Sequence, residues 1–217
     1  MRLTWRTEWP HWGILVLLAI VLIISPDQPV PIHWNFEGQV DRLADKWLVL
    51  VTIVGLYLLL AFLPRLDPGR ANYAQFAGPY RTIRLAVLTV LVVLTGSGAL
   101  GVPADGLVQV ALGALLVVIG SVMGKIRPNW FVGVRTPWTL TSKRSWLKTH
   151  RLGGWLFMIW GLIQIPVGLL LPGARIFTLV AALAVIATLL IYSYLVWRND
   201  PDKLPAVGTR PASGDTP

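Results

Sequence analysis

Six long apolar runs constrain this chain more than any other feature of its sequence. No run carries a charged residue in its interior, and several runs have about 17 residues. A helix of about 20 residues crosses the roughly 30 Å hydrocarbon core of a bilayer and pairs its own backbone polar groups. The pattern predicts an all-α membrane protein with six transmembrane helices, formed by Trp12–Ser25, Trp47–Leu63, Leu85–Val102, Leu107–Met123, Trp155–Leu171 and Ile176–Trp197.

Composition supports the same class. Hydrophobic residues make up 55% of the chain and charged residues 13%, about half the charged fraction of an average soluble domain. The chain has no cysteine, which excludes disulfides and thiolate metal sites. The first run is short enough to resemble the core of a signal peptide. Because Ile24-Ser25-Pro26-Asp27 offers no small-residue cleavage site, we expect it to be retained as a first helix.

The distribution of positive charge predicts the orientation. If the chain crosses the membrane six times, only Arg42, Lys46 and Arg175 of its 19 Lys and Arg residues fall on one side. Positive residues favour the cytoplasmic side, so we expect both termini in the cytoplasm of a bacterial plasma membrane. Loop 26–46 is then extracytoplasmic and the basic loop 124–152 cytoplasmic. This asymmetry explains the net charge of +9 without any direct nucleic-acid partner.

The extracytoplasmic loop contains a compact set of polar residues. After Pro29 and Pro31, apolar and polar residues alternate, which is typical of a short strand. Gly38 suits a chain reversal, and Asp45 is placed to cap the second helix. We expect His33, Asn35 and Asp41 to satisfy one another and brace the loop. The residues that define this outer-loop motif are His33, Asn35, Gly38, Asp41 and Lys46.

The cytoplasmic loop combines cations with turn chemistry. From residue 124 to 152 it has seven cations and no anion, which suits its location and contact with anionic inner-leaflet lipid. Charge does not explain the turn residues, which predict turns around Asn129 and Gly133 and a helix from Lys143 to His150 capped by Ser142. We expect Arg135 and Thr136 to be extended before Pro137, and His150 to be a packed or capping residue. We expect Trp146 and Leu147 to enter the lipid interface. The motif comprises Asn129, Gly133, Arg135, Thr136, Pro137, Trp138, Trp146, His150 and Arg151.

These two loops resemble a known family. The segment from Lys125 to Gly154, with its Gly133–Leu140 core, resembles the signature of the SdpI family of integral membrane immunity proteins. The loop with Pro31, His33, Asn35, Gly38, Asp41 and Lys46 is similar to an uncharacterised N-terminal domain that accompanies SdpI in many members. The resemblance implies an N-terminal membrane domain over 1–63 and an SdpI-like domain over 64–198. Residues 199–217 form a tail that we expect to be disordered.

The resemblance implies a function that composition does not. Members of this kind protect the producing cell from an extracellular toxin peptide and can capture an ArsR-type repressor at the membrane. The resemblance assigns no catalytic residue, and we expect neither enzymatic activity nor a metal or cofactor. Two alternatives remain open: a small transporter or flippase-like protein with a path near Gln164 and Gly96–Gly98, and a membrane enzyme using His33 and Asp41.

Overall fold

The computed structural model describes residues 4–35, 39–102, 106–171 and 174–203, and it is mostly helical. Helices are separated by one β-hairpin and by one irregular segment that contains a short helix. A 3₁₀ helix at Arg70–Phe76 leads directly into α3. The elements in chain order are α1 Trp5–Ile24, β1 Val30–Trp34, β2 Val40–Ala44, α2 Lys46–Leu66, α3 Ala77–Ala99, α4 Leu107–Met123, α5 Pro137–Leu140, α6 Lys143–Leu170 and α7 Arg175–Arg198.

Within the described residues, five helices are long and apolar enough to cross a membrane: α1, α2, α3 with its preceding 3₁₀ turn, α6 and α7. The fourth predicted span, Leu107–Met123, is an apolar helix of 17 residues. At 1.5 Å per residue it reaches about 26 Å, somewhat less than a typical hydrocarbon core. Multiple membrane-spanning helices are therefore confirmed, whereas six crossings and the cytoplasmic location of the termini stay predictions.

Two helix boundaries differ from the sequence expectation. Helix α1 begins at Trp5, not at Trp12, because a Thr4–Thr7 capping box starts the helix early and brings Glu8 and His11 into it. The helix expected from Lys143 and the span expected from Trp155 form one continuous helix, α6. Gly153 and Gly154, which separate the two segments in the sequence, are buried against α4 and continue the helix.

Close backbone contact between α4 and α6 depends on glycine. Gly113 on α4 faces Gly161 on α6, and Gly120 faces Gly154. The two glycines on each helix are seven residues apart. A Cβ built on Gly120 would lie 2.6 Å from the Gly154 carbonyl oxygen, and one on Gly154 would lie 2.8 Å from the Gly120 carbonyl oxygen. Small residues allow such approach between helices in lipid, where dispersion contacts drive association. These glycines therefore permit the close packing of α4 against α6.

The first three helices form a second unit around one apolar core. Leu18 and Leu22 of α1, Ile53 of α2 and Leu88 of α3 are among its buried side chains. The β-hairpin closes one end of this unit, where Pro31 packs on Gly98 so closely that a Cβ there would lie 2.8 Å from the proline Cδ. The start of α1, the end of α2 and the start of α3 meet at the opposite end.

The chain directly after α7 contacts the start of α6. Asp200 is buried and accepts a hydrogen bond from the Ser142 hydroxyl at the start of α6. This contact holds the chain just beyond α7 against the basic segment, and the division of the chain at residue 199 stays a prediction. Residues 204–217, on which the prediction of disorder mainly falls, lie outside the described residues.

Candidate functional site

The hairpin places two of the outer-loop residues side by side. Strands β1 and β2 pair antiparallel, with His33 opposite Arg42. His33 Nδ1 lies 2.6 Å from Asp41 Oδ1, and both side chains are exposed. Asn35 turns to Gln39 instead, accepting from its backbone N–H at 2.8 Å. The expected His33–Asp41 contact is confirmed, and Asn35 braces the turn separately. Gly38 lies outside the described residues.

Lys46 joins the hairpin to the first helix. It is the first residue of α2, but its side chain is buried and its Nζ donates to the carbonyls of Ser25 and Pro26 at 3.3 and 3.2 Å. A cation is favoured at a helix C-terminus, where the carbonyl groups carry partial negative charge. Lys46 thus clamps the end of α1, while Asp45 caps α2 through the N–H groups of Trp47 and Leu48, as the sequence predicted.

At the other end of the protein, Asn129 and Asp67 organise the start of the basic segment, residues 124–152. The Asn129 side-chain oxygen Oδ1 accepts from the backbone N–H groups of Phe131 and Val132, which confirms the predicted turn. Asp67, just after α2, is buried and accepts from the Tyr73 hydroxyl at 2.9 Å and from the Trp130 N–H at 3.0 Å. This carboxylate attaches the basic segment to the first three helices, and the sequence analysis missed it.

Gly133 allows the chain to pass directly over His150. Gly133 has φ of +112°, a conformation that favours glycine, and a Cβ there would overlap His150 Nε2. The next residue, Val134, donates its N–H to the same Nε2 at 3.1 Å. His150 is fully buried and stacks on Trp146 with ring centroids 4.2 Å apart. His150 is thus a packing residue, as expected.

The placement of Trp146 differs from the prediction. Its side chain is fully buried inside the protein and its indole N–H donates to the Ile126 carbonyl at 3.0 Å. It does not enter the lipid interface, because α6 turns that face toward Tyr73, Phe76 and Ile126, which form an apolar cluster with it. Leu147 is partly buried against the same cluster.

The Thr136-Pro137 step starts a helix of one turn. Thr136 is extended, as its position before proline predicted, and its hydroxyl oxygen accepts from the Thr139 N–H at 3.1 Å. The Thr136 hydroxyl also donates to Ser193 of α7 at 3.2 Å. Trp138 packs edge-on against Tyr194, also on α7. The motif that looked like an isolated turn is therefore docked on the last helix.

Most cations of the basic segment are exposed on the surface of the region formed by these buried contacts. Arg135 donates to the Trp130 carbonyl at 2.7 Å but is exposed, and Arg151 is exposed on α6. The other exposed cations of the segment are Lys125, Lys143, Arg144 and Lys148. We call these six side chains the basic face. It combines a rigid scaffold with positive charge that no acidic residue of the segment offsets.

Sequence analysis also missed a buried charge pair between α1 and α3. Arg84, expected in a cytoplasmic loop, is 2% exposed, and its Nη2 lies 2.8 and 3.0 Å from the two carboxylate oxygens of Glu8. Tyr57 of α2 donates to the same carboxylate at 3.1 Å, and His11 lies beside it. The signal was available: Glu8 is the one acidic residue that precedes the first run, four residues before it, and an unpaired carboxylate there would be costly.

These sites contain no evident metal centre. No group of three or more His, Cys, Asp or Glu side chains suitable for a metal ion occurs within residues 4–35, 39–102, 106–171 and 174–203. His33 and Asp41 form a pair without a third such ligand among those residues.

Comparison with known proteins finds a match for each of the two loop regions. Residues 125–194 match the SdpI/YfhL protein family, and residues 12–58 match a domain of unknown function, DUF1648. Over 186 residues the chain is 24% identical to the immunity protein SdpI of Bacillus subtilis (strain 168), covering 82% of this chain and 89% of that protein. The resemblance to the SdpI family is confirmed.

The matches agree with the structural units in part. The SdpI/YfhL match includes the basic face and helices α5 to α7, and the DUF1648 match includes the hairpin and most of α1 and α2. With its long apolar helices, the chain is a multi-pass protein of the plasma membrane. The division at residues 63 and 64 stays a prediction. No solved structure matches this chain.

Proposed function

We propose that this protein is a non-enzymatic membrane immunity protein that protects its cell from an extracellular antimicrobial peptide. The observation that carries the proposal is the similarity to the immunity protein SdpI along nearly the whole length of both chains. A local match would fit a shared membrane scaffold, whereas this alignment covers 82% of this chain and 89% of that protein.

Protection is tested by expression in a bacterium that lacks its own immunity gene. Cells are challenged with the sporulation-delaying killing peptide, and growth is compared with an empty-vector strain. We expect the expressing cells to grow at peptide concentrations that stop the control. Equal sensitivity of the two strains, with the protein present in the membrane fraction, would contradict the proposal for this peptide.

The second part of the proposal assigns the basic face to an acidic cytoplasmic partner, an ArsR-type repressor held at the membrane. Its support is physical: six exposed cations on a framework that is fixed by buried contacts of Asn129, Trp146 and Thr136. Complementary charge steers a partner to such a surface and fixes its orientation. Anionic inner-leaflet lipid competes for the same cations, so partner binding should weaken in anionic membranes.

Charge reversal separates repressor capture from protection. In the double variant Arg144→Glu/Lys148→Glu, both side chains are exposed, so we expect normal insertion and normal protection but loss of repressor from the membrane fraction. Arg70→Glu is the matched control, since Arg70 is exposed at the same end but lies outside the basic segment. Retention of the repressor by the double variant would reject this surface as the docking site.

A further inference from the structure

A histidine lies beside the buried Glu8–Arg84 pair, at the contact between the starts of α1 and α3. His11 follows Glu8 by one helical turn on α1, is 1% exposed, and has its Nδ1 3.5 Å from the Glu8 carboxylate. Tyr57 of α2 faces the His11 ring with 5.5 Å between ring centroids, and Arg84 of α3 bonds the same carboxylate. Three helices therefore enclose Glu8 and His11 together.

The two buried histidines of this chain are held in different ways. His150 has both ring nitrogens paired, since Nδ1 lies 2.8 Å from the Trp146 carbonyl oxygen and Nε2 accepts the Val134 N–H. Neither ring nitrogen of His11 has a hydrogen-bond partner within the described residues. Buried polar groups in native proteins are nearly always paired, so packing alone does not explain a histidine at this position. The Glu8 carboxylate is within reach of the ring once the ring is protonated.

Glu8 and His11 belong to the same helix, whereas Arg84 belongs to another. Residues three apart lie on one face of a helix, so His11 stays beside Glu8 when α1 moves as a helix. Arg84 is left behind if α1 separates from α3. An unpaired carboxylate at membrane depth is costly, and histidine is the side chain that gains a charge most readily near neutral pH. His11 can therefore replace Arg84 as the cation of Glu8.

We infer that Glu8 and His11 form a proton-binding site: when the start of α1 separates from Arg84, His11 takes up one proton and neutralises Glu8. While Arg84 is in place, its guanidinium group repels a second positive charge on His11. The separated state thus binds one proton more than the closed state, so separation is favoured as the pH falls and opposed as the pH rises. This inference concerns the contact between two helices and does not depend on peptide protection.

The other ionisable groups around the site do not supply the replacement charge. Tyr57 of α2 and Tyr80 of α3 are neutral hydrogen-bond donors here. Arg81 of α3 turns its guanidinium group to a carbonyl of its own helix and its backbone carbonyl toward His11. Lys46, another buried cation that contacts α1, lies at the opposite end of that helix. His11 is thus the group placed to change its charge beside the carboxylate.

Separation is measured on the full chain in phospholipid nanodiscs, by pulsed electron spin resonance between two spin-labelled cysteines. The chain has no cysteine of its own, and Gly13→Cys on α1 and Thr82→Cys on α3 place the labels at exposed positions near His11. We expect a longer distance to appear on acidification, with its share rising about tenfold between about pH 8 and about pH 6, as one linked proton allows. His11→Gln should remove this response.

Two controls separate proton uptake at this site from general effects of acid. His33→Gln removes an exposed histidine of the hairpin and should leave the response unchanged. A label pair at Ile24→Cys and Leu100→Cys, both exposed by the opposite ends of the same two helices, should keep one distance at both pH values. A distance that does not change with pH, a change that persists in His11→Gln, or an equal change at both label pairs would overturn the inference.

A stability measurement keeps the inference testable if the labels disturb folding. In Arg84→Met, Glu8 and His11 are left with each other, so the drop in unfolding temperature relative to the original chain should be smaller at about pH 6 than at about pH 8. Arg84→Met/His11→Gln should show the same drop at both pH values. Equal recovery of the two variants at the lower pH would show that Glu8 takes up the proton directly, and the assignment to His11 would be rejected.

Discussion

Replacing Arg84 by methionine should destabilise the protein by about 3–5 kcal/mol, because it leaves the Glu8 carboxylate buried without its cation. Glu8 and Arg84 are both nearly inaccessible and lie 2.8 Å apart between α1 and α3. The Tyr57 hydroxyl that remains can donate one hydrogen bond but cannot neutralise the charge. Thermal unfolding of the purified protein in detergent, with gel filtration to detect aggregation, measures the effect.

Two further variants show whether the charge or the shape of Arg84 is responsible for the loss of stability in Arg84→Met. The double variant Glu8→Met/Arg84→Met replaces the pair by apolar side chains, which is often close to neutral in energy, and it should recover most of the lost stability. Arg81→Met, less than one helical turn away, removes a half-buried arginine that bonds the Ala77 carbonyl and should have little effect. Equal losses in Arg84→Met and in the double variant would show that packing of the long arginine side chain matters more than its charge.

Replacing Gly133 by alanine should open the basic segment. The backbone there has φ of +112°, and the added Cβ would overlap the His150 ring, so strain and steric overlap together cost about 2–5 kcal/mol. The Val134 N–H to His150 bond and the Trp146–His150 stack would be lost. We expect much faster trypsin cleavage at Arg135 and Lys143, measured on the protein in nanodiscs by mass spectrometry.

The control for this experiment is Gly124→Ala in the same segment. Gly124 has φ of −65°, and a Cβ there would make an ordinary 3.7 Å contact with Arg151. Its cleavage rate should match that of the original protein. The double variant Gly133→Ala/His150→Ala removes the overlapping ring and should restore part of the resistance to trypsin, although the backbone strain at residue 133 persists. If Gly133→Ala resists trypsin as well as the original chain, then His150 can move aside and is not a fixed part of the framework.

Helix caps and turns could be predicted from the sequence where a side chain bonds to the backbone of residues close to it in the chain. Asp45 as the cap of α2, Ser142 as the cap of α6, the Asn129 turn and the extended Thr136 were all predicted and found, because each depends on bonds within a few residues. The His33–Asp41 contact was readable for a related reason, since a hairpin brings residues eight apart into register.

Contacts between distant parts of the chain could not be predicted from the sequence. The Glu8–Arg84 pair joins residues 76 apart, and the Asp67 bond to Trp130 joins residues 63 apart. Trp146 was expected at the lipid interface because tryptophan is common there, yet it is buried by Tyr73 and Phe76 from the other helical unit. Likewise, nothing in the spacing of Trp34, Gln109 and Trp160 indicates that they meet at one cavity.

The amino-acid sequence by itself determined that the chain enters a membrane as helices, because long apolar runs must bury side chains and pair backbone groups in lipid whatever their neighbours are. The spacing of a few loop residues also indicated the similarity to the SdpI family. Only the tertiary structure decided which polar groups are paired and which cations stay exposed. Those properties depend on which helix faces meet, and residues far apart in the chain supply the partners.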